Sequence, residues 1–203
     1  MRRGAKPRVL ALWKPYSTLC SFVDEQGARG RATLGEHCIP AGMLNVGRLD
    51  RDSEGLLLFT DDGAWCHKVL QGGVKKRYCA LVSGQPSEAK IASMAAGGMN
   101  IRGRTTRPCE VRRLDWDEAQ AALPATPAAL LGSGKRAWDA GNTTWLEVIL
   151  DEGMNRQIRK MTLHAGHKTL RLVRTGVGQL HVERLALQPG EWRYVEQRDV
   201  LPV

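Results

Sequence analysis

The segment Gly47–Gly63 constrains this chain more than any other, because its character changes abruptly halfway along. Arg48, Asp50, Arg51, Asp52 and Glu54 crowd the first half. The second half, Gly55 to Thr60, is apolar and reads as a buried strand closed by the turn residues Asp61, Asp62 and Gly63. The charged half therefore sits at the mouth of a core strand. Loops held by a rigid scaffold are where catalytic groups concentrate. Taken alone, an acidic loop of this kind is more often a solvated turn, so the rest of the chain has to discriminate.

Composition narrows the classes. With 203 residues, 42% of them hydrophobic, the chain can bury a sizeable core. Lysine and arginine number 30 against 21 acids, a net charge of +9 that favours a polyanionic partner, with nucleic acid the first candidate. No apolar run approaches the length needed to span a bilayer, and Val9 to Trp13 is too short for the core of a signal peptide. A cytoplasmic location is expected. Cys20, Cys38, Cys66, Cys79 and Cys109 are odd in number, widely spaced and without a CxxC pair. They read as small buried residues, not as a disulfide framework or a metal site.

Along the chain, residues 1–7 read as a flexible basic tail and 8–203 as one domain. Strands are expected at Arg8–Trp13, Thr18–Val23, Gly55–Thr60, Lys75–Val82, Cys109–Leu114, Thr143–Leu150, Thr169–Val177 and His181–Leu187. Thr33 and Ser87 are placed to cap short helices, and a further helix opens at Asn155 with Ile158, Met161 and Ala165 on its apolar face. Residues 118–142 are rich in Ala, Pro and Gly and read as a variable loop or insertion. Many strands with few helices and little alternation argue an α+β fold with a mixed, mostly antiparallel sheet and a few flanking helices.

Known chemistries are then eliminated. His164 and His167 lack the spacing and the partners of a metal site, so no metal is expected. There is no GxSxG hydrolase elbow. Gly132-Ser133-Gly134-Lys135-Arg136 fails the phosphate-loop pattern at both of its ends. A reaction that needs only a carboxylate and positive charge is left.

Gly47-Arg48-Leu49-Asp50, followed by Ser53-Glu54-Gly55-Leu56-Leu57, resembles the signature of the pseudouridine synthases, in the branch that modifies ribosomal RNA. Lys14-Pro15, Lys76-Arg77-Tyr78, Glu152 to Met161, Leu170 to Arg174 and Pro189 to Arg193 resemble that branch's other motifs, in the same order. The resemblance runs from residue 9 to 193. It implies the pseudouridine synthase fold without the S4 RNA-binding module that many relatives carry, and a reaction that uses no cofactor. It also implies a substrate uridine in large-subunit (23S) rRNA, with no membrane partner, and a monomer is expected. A non-catalytic rRNA-binding or ribosome-assembly factor, or a synthase acting on another rRNA site or on tRNA, are the alternatives.

By the same likeness Asp50 is the catalytic carboxylate, either attacking C1′ or abstracting a ribose proton. A carboxylate in a closed site needs a cation to remain ionised, and Arg159 is the match. Tyr78 is expected to stack on the target uracil, and Arg48 to enter the space left by the extruded nucleotide. Leu172 is expected to pack against the base. Lys14, Lys76, Arg77, Arg156, Lys160, Arg171 and Arg174, with Lys75, Arg102 and Arg104, are expected to form the RNA surface. Asp52 and Glu54 are read as structural.

Overall fold

The computed structural model describes residues 7–25, 30–131 and 138–201. Most of the basic tail, and the Gly132–Arg136 stretch of the expected insertion, lie outside the described residues. In chain order the elements are β1 (Val9–Lys14), β2 (Leu44–Val46), β3 (Glu54–Thr60), α1 (Gly63–Gln71), β4 (Lys76–Ser83), α2 (Glu88–Ala96), β5 (Asn100–Ile101) and β6 (Arg104–Thr105). There follow β7 (Glu110–Arg113), α3 (Trp116–Ala122), α4 (Ala128–Leu131), β8 (Thr143–Leu150), α5 (Gln157–His164), β9 (Thr169–Val177), β10 (Leu180–His181), β11 (Trp192–Val195) and α6 (Gln197–Val200). They divide into two compact units, one running through Val74 and resuming at Gly176, the other continuous from Lys75 to Thr175.

In the first unit the strands run in the order β11-β1-β3, with β2 also paired to β3. All three pairings are antiparallel, and β1 against β3 sets Val9 opposite Thr60 and Lys14 opposite Gly55. Every residue of β1 and β3 is buried, which explains why Val9–Trp13 and Leu56–Phe59 are apolar without a break. Asp62 caps α1 by accepting from the Trp65 amide at 3.0 Å. Thr33 caps a single 3-10 turn, Leu34–His37, in a reciprocal box with Glu36.

In the second unit the order is β9-β4-β8-β7. β4 and β8 pair over eight positions, from Lys76 opposite Leu150 to Ser83 opposite Thr143. Ala80, Val82, Leu146, Val148 and Leu172 meet Ile91 and Met94 of α2 and Ile158 and Met161 of α5 in one core. Ser87 caps α2 as its sequence implied.

Four expectations need correction. Thr18–Val23 forms no strand; Leu19 makes only an isolated bridge to Thr33. His181–Leu187 is a two-residue strand end followed by a 3-10 turn. The expected loop at 118–142 contains most of α3 and all of α4. Its alanines favour helix, and Asp115 caps α3 by accepting from the Asp117 and Glu118 amides. Cys38 is exposed, unlike the buried Cys20, Cys66 and Cys79; all five thiols are free.

Candidate active site

The acidic run begins outside the strands, with alternating environments. Arg48 is exposed, Leu49 is buried and Asp50 is half-buried. Leu49 thus anchors the segment while Asp50 stays accessible. A tight turn follows, closed by the Ser53 amide donating to the Asp50 carbonyl at 3.0 Å. Ser53 and Glu54 then enter the interior, and Gly55 has φ +99, which lets the chain bend into β3. Arg51 ties the turn to the preceding Lys-Pro corner, donating to the Ser17 hydroxyl at 2.8 Å and to its carbonyl at 3.3 Å.

Lys14 is corrected most sharply. Its side chain has no solvent exposure, so it cannot belong to an open RNA surface. It closes β1, one strand away from β3, and its ammonium donates to the Pro15 carbonyl at 2.8 Å. Burial pulls its pKa down to about 8, against the attraction of Cys20, Glu54, Asp52 and Asp50. Lys14 is therefore an interior cation in the field of the acidic run. Charge counting hid this, although a lysine ending the buried run Val9–Trp13 was the available signal.

In the second unit Tyr78 lies on β4 opposite Val148, half-buried and packed against the core that contains Leu172. Leu172 is itself a core side chain. Arg77 donates to Glu147 at 2.6 Å, and Arg112 donates to the other oxygen of that carboxylate at 2.7 Å. One edge of the Arg77 guanidinium is therefore already engaged.

Arg171 and Arg174 are also corrected, for both are buried within β9. Arg171 donates to the Pro124 carbonyl at 3.1 Å and the Thr126 hydroxyl at 3.3 Å, so it braces the segment after α3 from inside. Arg174 stands near Lys76. Burial lowers the Lys76 pKa, and repulsion from Arg174 and Arg107 acts in the same direction, opposed by Asp151.

The turn into α5 is organised by two residues to which no role was given. Glu152 is buried and accepts from the Gln157 side chain at 2.6 Å and the Arg107 amide at 3.0 Å. Gln157 in turn accepts from the Met154 amide at 3.0 Å. Arg156, at the N-cap with φ +54, is exposed. Arg159, one turn on, donates to the Thr169 carbonyl at 3.3 Å. Lys160 is half-buried and donates to the Asn155 carbonyl at 2.8 Å. His167 is structural, held between the Ser83 carbonyl at 2.7 Å and Lys90 at 3.3 Å.

The first unit thus presents an accessible carboxylate on a braced turn, backed by a buried ammonium. That arrangement suits a carboxylate nucleophile or base.

Residues 8–164 match the family model of RNA pseudouridylate synthase. Over 196 residues the chain is 39% identical to ribosomal large subunit pseudouridine synthase E of Xanthomonas campestris pv. campestris, covering 96% of this chain and 98% of the other. The protein of the same name from Vibrio vulnificus is 36% identical, over 94% of this chain and 76% of its own. Among solved structures, a crystal structure of pseudouridylate synthase has the same fold, with a TM-score of 0.73 at 23% identity, over 96% of this chain and 73% of that one.

Proposed function

The chain belongs to the RNA pseudouridylate synthase family, and we propose that it isomerises one uridine of large-subunit (23S) ribosomal RNA to pseudouridine. The observation that carries this reading is Asp50. It directly follows Gly47-Arg48-Leu49 and is held accessible between buried Leu49 and buried Ser53. The relatives named for the large ribosomal subunit match over nearly the whole chain, which favours rRNA over tRNA.

In the proposed reaction the N1–C1′ bond breaks with Asp50 acting at the ribose. The uracil turns, C5 bonds to C1′, the C5 proton leaves to water and N1 gains a proton. No oxidant, reductant or cofactor enters that balance. By the family resemblance, Tyr78 is assigned as the ring that stacks on the uracil and Arg159 as a cation of the reaction. Arg48, exposed beside Asp50, fills the gap left by the extruded nucleotide and offsets part of an unstacking cost of a few kcal/mol. Arg156 and Lys160 contact phosphates. The enzyme acts as a cytoplasmic monomer.

The test is tritium release from protein-free rRNA carrying C5-tritiated uridine. The wild type releases tritium from the large-subunit RNA, and Asp50→Asn releases none. Full activity of Asp50→Asn would overturn the assignment of the carboxylate. No release from any RNA by the wild type would leave a non-catalytic rRNA-binding factor.

A further inference from the structure

The hairpin formed by β5 and β6 projects charge for which its own unit has no use. Arg102 and Arg104 are both exposed, and among the described residues neither forms an ion pair or a side-chain hydrogen bond. The arm that carries them is nevertheless firmly built. Ile101 is buried in the unit. The Thr106 amide donates to the Met99 carbonyl at 2.8 Å, and the Gly98 amide donates to the Thr106 carbonyl at 2.9 Å. The Thr106 hydroxyl accepts from the Met99 amide at 3.1 Å. At the tip, the Gly103 amide donates to the Asn100 side chain at 3.0 Å. Gly97, with φ +74, lets the base of the arm close, since a Cβ there would stand 2.6 Å from the Arg107 carbonyl carbon.

Arg107 then bolts the arm to the turn that precedes α5. It pairs with the Asp151 carboxylate at 3.0 Å, and its amide donates to Glu152 at 3.0 Å. That turn carries exposed Arg156. Charge around the anchor is predominantly positive, with Lys76, Arg174 and Arg107 set against Asp151 and Glu152. Burial is the first cause of the lowered Lys76 pKa, with Arg174 and Arg107 adding to it and Asp151 opposing it.

We infer that the Asn100–Thr105 hairpin is a phosphate-binding arm, in which Arg102 and Arg104 grip the sugar-phosphate backbone of the substrate RNA. The inference rests on the RNA reading given above. A rigid mount makes such contacts useful, because two long side chains on a fixed arm set the register of a strand without reading its bases. Two guanidiniums on one arm can engage neighbouring phosphates.

The test measures binding to protein-free large-subunit rRNA by filter retention across a salt series, for the wild type, Arg102→Ala/Arg104→Ala, Arg102→Lys/Arg104→Lys and Asp50→Asn. Each phosphate contact to single-stranded RNA contributes about 0.7 to the log–log salt slope. The alanine pair should flatten the slope by roughly 1.4 and raise KM for tritium release, with kcat unchanged. The lysine pair should restore most of the slope. Asp50→Asn should bind with the wild-type slope. An alanine pair whose slope equals that of the wild type overturns the inference, as does a wild type that does not bind the RNA. A flattened slope in a protein that releases no tritium keeps the arm and removes the isomerase reading.

Discussion

Lys14→Met deletes the ammonium while keeping a long, unbranched side chain in the same enclosed space. Its direct effect at pH 7 combines opposing contributions. The substitution relieves the burial of a charge, but it also removes the attraction between the ammonium and Glu54, Asp52 and Asp50. The informative quantity is the pH dependence. Lys14 titrates at about 8 in the folded protein against an ordinary 10.5. Below about 8 both folded and unfolded chains hold the proton, and the fold bears the full cost of burying it. Between the two values the unfolded chain binds more protons, so stability rises with pH; above 10.5 neither state is charged. At about 1.4 kcal/mol per pH unit the whole interval corresponds to about 3 kcal/mol. Between pH 7 and pH 9.5 about 2 kcal/mol of this is recovered. The Lys14→Met protein has no such titration. In urea unfolding at the two pH values, the stability of the wild type relative to the variant should therefore improve by about 2 kcal/mol. Groups that titrate in both proteins cancel in the difference. Parallel pH profiles would refute the placement of a protonated lysine in this interior.

Two further substitutions probe the two units separately. At Gly178, φ is +60 and a Cβ would stand 1.9 Å from the Val200 carbonyl oxygen, so Gly178→Ala should cost about 2–4 kcal/mol in urea unfolding. A variant as stable as the wild type would mean that α6 does not pack against Gly178. Glu147→Ala removes the carboxylate that Arg77 and Arg112 share, leaving Arg112 with Glu118 at 3.8 Å. Because both arginines are partly open to solvent, the expected cost is about 1–3 kcal/mol, below that of a fully buried pair. An Arg77→Ala/Glu147→Ala double-mutant cycle with no coupling energy would contradict the bridge.

The strands most legible in the sequence were those buried on both faces. Gly55–Thr60, Thr143–Leu150 and Thr169–Val177 became β3, β8 and β9 with boundaries shifted by one residue at most. A doubly buried strand needs no alternation, only a sustained apolar run. Caps were equally plain, since Thr33 and Ser87 act through their own hydroxyls. Charge was the poor guide. Arg171 and Lys14 were counted as surface because a basic residue usually is, yet each finds carbonyl acceptors indoors, and sequence does not display acceptors. The Ala-rich stretch after Asp115 was misjudged in the opposite sense. Its Ala, Pro and Gly content suggested a loop, but alanine favours helix, and Ala119 and Leu123 are buried and hold α3 down. Asp50 was singled out by its neighbours in the sequence, whereas the Glu152–Gln157 pair was not, because its members act on each other, on backbone amides and on Arg107, none of which the sequence displays.

The unit that holds Asp50 is stitched from segments far apart in the chain, Val9 pairing with Val195 across β1 and β11. On the ribosome these strands emerge far apart in time. The stretch from Lys75 to Thr175 is continuous in the chain and can complete its core before Trp192–Val195 is made, since domains generally fold as units during synthesis. The edge of β1 must wait with its amides and carbonyls unanswered until Trp192–Val195 arrives, the kind of edge on which misassembly begins. The carboxylate therefore gains its finished scaffold only after Trp192–Val195 has been made, and a chain that stalls before Trp192 carries Asp50 on an unfinished sheet.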